Sequence, residues 1–189
     1  MIAASQGRED RSNTMPQNID AQFARDFLSR LHEAVNAHDA AQVAALCCED
    51  VIWDDPAASA PLRGRDAVCR FHQETMFRAL PDVRIDMIDG PYLALDGKSI
   101  SARLRISGTM TGPLDPPGFA PTGGPLVFET AEFSRFEGNL LSRHTVIVDM
   151  LGLARQIGAV PPAGGFGERV GLWGQHIAAL LGRAGSNKR

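Results

Sequence analysis

The chain has 189 residues, 44% of them hydrophobic, with a formal net charge of −3 and a pI near 5.9. Its length fits one domain plus tails, and its acidic balance lacks the basic footprint of nucleic-acid-binding proteins. No apolar run approaches the ~20 residues that cross a bilayer, and the three cysteines form no metal or disulfide pattern. We therefore expect a cytoplasmic protein with no metal, nucleic-acid or membrane partner.

The first part of the chain carries the helical patterns. Residues 1–19 are polar and aperiodic, which predicts a disordered tail. Apolar residues then recur every four positions from Phe23 to Val35, as on one face of a helix. His32 and His38 are expected at the surface near the end of this helix. The predicted helices cover residues 20–35, 40–48 and 64–80, with a short strand at 51–53.

The second part is a succession of strands separated by turn signals. Asp96-Gly97 and Glu137-Gly138-Asn139 are strong hairpin signals. Because helices precede an antiparallel meander, the predicted class is α+β. Three N-terminal helices would cover one face of a curved antiparallel sheet, forming a cone-shaped barrel that encloses an apolar pocket. The predicted strands cover residues 83–88, 92–95, 98–109, 126–135 and 140–148.

Two segments do not fit the meander. Residues 112–124 are rich in proline and glycine and have no periodicity, so they are either a lid on the pocket or a plain surface loop. Residues 163–189 combine a glycine-rich linker with an amphipathic helix, whose apolar face needs a surface on its own domain or on a second subunit. The predicted folded domain thus covers residues 20–162.

One carboxylate lies at a junction between two predicted elements. Asp149 follows the strand-forming residues 145–148 and precedes a helical pattern. An aspartate there is a favoured N-cap, and from spacing alone the cap is the commoner role. Apolar neighbours on both sides would also desolvate it, which raises a carboxyl pKa toward the range of a general base.

Four short motifs then occur in one order along the chain. They are Gly108-Thr109-Met110-Thr111-Gly112, Ala120-Pro121-Thr122-Gly123, Arg143-His144-Thr145 leading to Asp149, and Gly152-Leu153 with Gln156-Ile157-Gly158. Together they resemble the SnoaL-like polyketide cyclases, a branch of the nuclear transport factor 2-like superfamily. The resemblance covers about residues 20–162.

The resemblance implies a cone-shaped fold, a homodimer through the outer sheet face, and ring closure by an intramolecular aldol reaction without metal or organic cofactor. It assigns the acid/base role to Asp149 and places Trp53, with Asp54 and Asp55 after it, near the pocket floor. Core packing explains Trp53 equally well, and Asp54-Asp55-Pro56 is also an ordinary turn. It also marks two departures. This chain has Met110 where the family often has histidine, and Thr145 where the family often has an aromatic residue.

Strand alternation orders the other candidates. Thr145 shares a face with Asp149, and His144 lies on the opposite face, so His144 is a weaker supporting candidate. Arg105 has two possible positions. It either reaches the pocket, where it would hold Asp149 or stabilise an enolate oxygen, or it lies with Arg103 in solvent on the outer face. We favour the outer face, because charged side chains are seldom buried without a partner. The remaining candidates line the pocket or pack in the core: Phe71, Met76 and Phe133.

Three functions are consistent with these residues. The first is a cyclase that acts on a bulky, oxygenated, hydrophobic substrate with Asp149 as acid/base. The second is epoxide hydrolysis, as in limonene-epoxide hydrolases, which needs an Asp-Arg-Asp network. The third is a non-catalytic domain that binds a small molecule or a partner, and the less polar residues Met110 and Thr145 favour it.

Overall fold

A computed structural model describes residues 19–186, so the predicted tail, apart from Ile19, lies outside the described residues. Helices come first and strands follow, which confirms the α+β class. The helices are α1 Ala21–Asn36, α2 Ala40–Ala45, α3 Arg65–Phe71, α4 Phe77–Ala79, α5 Met150–Gln156 and α6 Phe166–Ser186. The strands are β1 Cys47–Asp54, β2 Leu62–Arg63, β3 Arg84–Leu93, β4 Ser99–Thr109, β5 Pro125–Glu137 and β6 Leu140–Val148.

The six strands form one curved, unclosed sheet in the order β2-β1-β6-β5-β4-β3. Strands β3 to β6 make the predicted antiparallel meander. Strand β1 departs from it and pairs parallel to β6, because the chain leaves β1 through the helices and returns to this edge only at its last strand. This pairing places residues of β1, β6 and β5 side by side at the same level of the sheet.

Helix α1 covers the inner face of the sheet. The side chain of Asp20 caps it by accepting a 2.7 Å hydrogen bond from the backbone N–H of Phe23. Phe27, on the buried face of α1, meets the ring of Phe136 on β5 edge to face at a centroid distance of 4.6 Å. The same helix face carries His32, which is only 9% exposed, so the expected surface position of His32 is corrected.

Two predicted boundaries differ from the structure. Helix α2 ends at Ala45, and Cys47 already belongs to β1. The two strands predicted at residues 83–88 and 92–95 are one strand, β3, with an irregular register after Met87. Strand β3 is at the edge of the sheet. A proline such as Pro91, which has no backbone N–H to donate, is tolerated on an edge strand.

The third helical segment changes its winding midway. A π-helical turn, His72–Met76, connects α3 with α4. Both His72 and Met76 lie on the wall of the internal cavity described below. Such turns often occur at functional sites, because an inserted residue redirects the side chains that follow.

The outer face of the sheet carries the arginines. On β4, Leu104 and Ile106 point inward and are buried. Arg103 and Arg105 point outward, are at least half exposed, and both contact the carboxylate of Glu129 on β5. The structure therefore corrects the idea that Arg105 reaches the pocket, and agrees with the alternative of two solvated arginines.

The C-terminal segment forms the long helix α6. Near the start of α6, the carboxylate of Glu168 binds Arg155 of α5 and the backbone N–H of Gly164. No helix within residues 19–186 is long and apolar enough to span a membrane. The large apolar side chains that α6 exposes are Phe166, Val170, Leu172, Trp173, Ile177 and Leu180.

Candidate active site

A cavity lies between the inner sheet face and the helices. Its volume is about 90 Å³, counted as the space that the centre of a water molecule can occupy. Since one water needs roughly 10–15 Å³ on this measure, the cavity has room for a small organic group. Its walls are mostly apolar and include Leu31, Val35, Val83, Ile106, Phe128 and Val148.

The proline-rich loop forms part of the cavity wall. Leu114 and Phe119, which pair with each other across this loop, line the cavity together with Pro116 and Pro117. The loop is attached to α4 by hydrogen bonds from the backbone N–H groups of Thr111 and Gly112 to the carbonyl oxygen of Ala79, at 3.0 and 3.2 Å. The approach is so close that a Cβ on Gly112 would lie only 2.4 Å from the carbonyl oxygen of Arg78. The segment thus covers part of the cavity and contributes apolar side chains to its wall.

Met110 lies at the neck of this loop rather than on the cavity wall. Its backbone exchanges hydrogen bonds with Gly123 and Gly124, at 2.8 and 3.0 Å, and its side chain is fully buried in the core. The expected pocket role of Met110 is therefore corrected to a packing role.

Polar groups collect at one end of the cavity. They come from α1, β1 with its following turn, the π-helical turn and β5, which the fold brings together from distant parts of the sequence. Within residues 19–186 no group of three His, Cys, Asp or Glu side chains is arranged to hold a metal ion. The cavity residues with polar side-chain atoms at this end are His32, Trp53, Asp55, His72, Thr130 and Glu132.

Asp55 is the carboxyl group in the turn after β1. One of its oxygens accepts a 2.8 Å hydrogen bond from the backbone N–H of Ala57, which fixes the side chain. Burial raises the pKa of Asp55, and the nearby charge of Glu132 adds to that rise; the Ala57 N–H and the indole of Trp53 oppose it. Asp55 is therefore a stronger base than an ordinary aspartate, at the wall of a mainly apolar cavity.

Glu132 and His144 form a second, deeper pair. Glu132 lies opposite Val146, and Ser134 lies opposite His144, in the β5–β6 register, so Glu132 and His144 are diagonal neighbours on the inner face. His144 Nε2 is 3.4 Å from Glu132 Oε2, and His144 Nδ1 is 3.0 Å from the Ser134 hydroxyl. The tautomer with its proton on Nε2 fits both contacts, with Ser134 donating to Nδ1.

Two further histidines face the same region in neutral form. His72 donates from Nδ1 to the carbonyl of Val68 at 2.9 Å, and burial lowers its pKa to about 4. Burial also lowers the pKa of His32. Both imidazoles therefore remain uncharged at neutral pH and provide polar atoms without positive charge.

The alternation predicted for β6 is present, but its inner face is the opposite one. His144 is fully buried, and Val146 and Val148 line the cavity, whereas Thr145 lies on the outer face beside Phe133 of β5. The pocket positions expected for Thr145 and Phe133 are therefore corrected. The reason is the two-residue period of a strand, in which a shift by one residue exchanges the faces.

Asp149 lies outside the cavity. Its side chain is exposed, and Oδ1 accepts a 2.9 Å hydrogen bond from the backbone N–H of Gly152, which makes Asp149 the N-cap of α5. The expected burial of Asp149 is corrected, because the strand turns its even-numbered residues inward. The catalytic role that the resemblance implies for Asp149 is untested, and the position of Asp149 outside the cavity leads us to expect that another group has this role.

We expect Asp149→Ala to lose about 1 kcal/mol of free energy of unfolding, and Asp149→Asn to lose almost none, because asparagine caps helices as well as aspartate does. Urea unfolding measures both values. The cavity geometry predicts that Asp149→Asn retains turnover. A folded but inactive Asp149→Asn variant would restore Asp149 as the acid/base group.

Sequence reasoning missed Glu132 and gave His32 and His72 no site role. A signal for Glu132 exists, because it shares the inward phase of β5 with Leu126, Phe128 and Phe136. A lone acid on the apolar face of a predicted strand is unusual, since charges are seldom buried without a partner. Trp53, Asp55, Phe71 and Met76 do lie on the cavity wall.

Comparisons with known proteins agree with the fold. The model of the SnoaL-like polyketide cyclase family matches residues 25–157, and no curated protein is detectably similar in sequence. AclR from Streptomyces galilaeus, a proposed hydroxylase, is 17% identical with a TM-score of 0.63, over 87% of this chain and 98% of AclR. A proposed SnoaL-like polyketide cyclase from Jannaschia sp. CCS1 is 15% identical with a TM-score of 0.62, over 84% and 100%.

A third solved structure has a different printed activity. SalBIII, an epoxide hydrolase/cyclase-like enzyme in pyran ring formation in the polyether salinomycin, is 19% identical with a TM-score of 0.57, over 70% of this chain and 95% of SalBIII. At these identities the likeness shows a common fold, and the chemistry has to be argued from the cavity.

Proposed function

The chain belongs to the SnoaL-like polyketide cyclase family, and on that basis we propose that it closes a ring in an oxygenated, hydrophobic, polyketide-like substrate by acid/base chemistry without a cofactor. The observation that carries this proposal is Asp55, a carboxyl group with a raised pKa on the wall of a mainly apolar cavity. An aldol mechanism requires a general base, which such a carboxyl group can provide, and the geometry favours Asp55 over Asp149 for that role.

The environment of Asp55 suits a general base. A base works best when its pKa lies near the pH of operation, and burial moves Asp55 in that direction. The N–H of Ala57 holds one oxygen of Asp55 in place, and the carboxyl group lies on the cavity wall, where a ligand can reach it. Because a carboxylate is still a weak base, the proton it removes must be acidic, as on a carbon between two carbonyl groups.

The proposed reaction conserves all atoms. Asp55 takes a proton from that carbon, and the resulting enolate carbon attacks a second carbonyl of the same molecule, forming a carbon–carbon bond. The carbonyl oxygen becomes an alkoxide, which takes the proton back from Asp55. One carboxyl group thus serves as base and then as acid. The cavity holds the substrate in a folded conformation, so that its two reacting carbons meet.

The epoxide hydrolase alternative has less support from the cavity. Its Asp-Arg-Asp network needs an arginine at the site, but Arg103 and Arg105 lie on the outer face with Glu129, and no arginine lines the cavity among residues 19–186. A non-catalytic binding domain would use the same apolar walls, so turnover has to separate the two. The homodimer and the cytoplasmic location stay predictions.

Turnover can be tested with a β-diketone that has an aryl group at one end and a third ketone on a short tether. We expect the protein to speed closure of this probe, measured as loss of the diketone absorbance and identified by mass spectrometry as an isomer of the same mass. Binding without closure would support a non-catalytic domain. Hydration of an apolar epoxide, run in parallel, would support the hydrolase instead.

A further inference from the structure

The second carboxyl group of the cavity, Glu132, takes no part in the proton transfers proposed above. Its side chain lines the cavity but is only 8% exposed. Its contact with His144 is a long one, 3.4 Å between Nε2 and Oε2, and no other residue in the described part of the chain donates a hydrogen bond to it. A buried carboxylate needs several hydrogen bonds, so this one is left under-stabilised.

The surroundings of Glu132 nevertheless keep it ionised. Burial raises the pKa of Glu132 and is the largest single influence on it. The contact with His144, together with the influence of His32 and His72, outweighs burial, so the pKa is below its ordinary value. The negative charge of Glu132 in turn raises the pKa of Asp55, the other carboxyl group of the cavity. The cavity thus presents an anionic oxygen that lacks a donor, among apolar walls.

We infer that Glu132 determines specificity by accepting a hydrogen bond from a hydroxyl group of the substrate, a phenol or an enol. The inference rests on the proposed function and narrows its substrate class. The imidazole of His144 already contacts one oxygen of Glu132. Because the cavity walls are mostly apolar, a neutral hydroxyl donor fits the other oxygen better than a cation, which would lose its hydration there. The two carboxyl groups then have separate tasks, with Asp55 at the acidic carbon and Glu132 at the hydroxyl.

The inward position of Glu132 on β5 offers a matched control on the same strand. Glu129 points outward and binds Arg103 and Arg105, so Glu129→Gln removes the same charge from the opposite face. Glu132→Gln keeps the size of the side chain and removes the charge at the cavity. Any difference between the two variants therefore reports on the cavity.

The test compares a hydroxynaphthyl ketone with its methyl ether, which has no hydroxyl donor, by isothermal titration calorimetry. We expect the wild-type protein to bind the hydroxyl ligand roughly tenfold to a hundredfold more tightly, as for hydrogen bonds to charged groups. Glu132→Gln should lose most of this preference, and Glu129→Gln should keep it.

Equal affinity for the two ligands, or no affinity for the hydroxyl ligand, overturns the inference. Tighter binding of a naphthylmethylammonium ligand than of the hydroxyl ligand overturns the hydroxyl class. Since the readout is binding, it is independent of turnover. A protein that shows the preference but closes no ring would contradict the proposed function alone.

Discussion

Asp55→Asn is expected to lower turnover of the ring-closure probe by about a hundredfold to ten-thousandfold, the range that general acid/base groups contribute. Asparagine has nearly the same shape and can still accept the hydrogen bond from the N–H of Ala57, so the fold should be unchanged. It cannot take a proton from carbon. The measurement is kcat and kcat/KM for the probe, with circular dichroism as the check on folding.

The neighbouring Asp54 provides the control for this variant. Asp54 belongs to β1, is half-buried, and is not on the cavity wall. Asp54→Asn should leave turnover within about twofold of the wild-type value. In the wild-type protein, activity should rise with pH through the raised pKa of Asp55, since the base must be ionised. An Asp55→Asn variant with full activity would remove Asp55 from the mechanism.

Acid is expected to weaken the fold through His72 before most carboxylates titrate. The unfolded chain protonates this histidine near its ordinary pKa of 6.5, but the folded protein does so only near pH 4. Proton binding therefore favours unfolding as the pH falls from 6.5 to 4. At about 1.4 kcal/mol per pKa unit, His72 alone should remove about 3 kcal/mol of unfolding free energy across that window.

Other cavity groups modify this loss. The lowered pKa values of His32 and Glu132 also make the free energy of unfolding fall as the pH falls. The contribution of Glu132 is lost last, as the pH falls through its pKa in the folded protein. The raised pKa of Asp55 has the opposite effect. Its ionised form destabilises the folded protein, and protonation in acid removes that destabilisation. The net result is a fold that is less stable at pH 4 than at pH 7.

Urea unfolding of the wild-type protein and of His72→Phe, at several pH values, measures the effect of His72. Phenylalanine fits a site already lined by Trp53, Phe71 and Phe77, so the variant should show about 3 kcal/mol less acid loss. His176→Gln, on exposed α6, should keep the wild-type dependence. If the His72 ring titrates near pH 6.5 by NMR in the folded wild-type protein, the explanation fails.

The positions of the site residues show where sequence reasoning had enough information. Trp53 and Asp55 stand beside a turn at the end of a short strand. The resemblance to a family points to the pocket for both, but core packing and an ordinary turn explain the same residues equally well from sequence alone. For Phe71 and Met76 the sequence does not separate core from pocket, since both environments select apolar side chains. The π-helical turn at His72–Met76, which brings His72 and Met76 to the wall, has no recognisable sequence pattern.

The inward face of the last two strands could not be decided from their pattern. Both faces of β6 carry apolar residues. Ile147 lies on the outer face and is 55% exposed, while Val146 and Val148 on the inner face line the cavity. On β5, Phe133 was a stronger hydrophobic signal than Glu132. One wrong phase therefore moved two predicted pocket residues, Thr145 and Phe133, to the outer face and hid the pair Glu132–His144.

The order of the elements, the α+β class and the lone carboxylate at a helix start follow from local patterns, because apolar spacing and capping act over a few residues. The choice between the two faces of a strand, and the meeting of α1, β1, β5 and β6 around one cavity, do not. They depend on which side of the sheet the helices cover and on the burial that results. Only the tertiary structure fixes these, and with them the carboxyl group that is withdrawn from water.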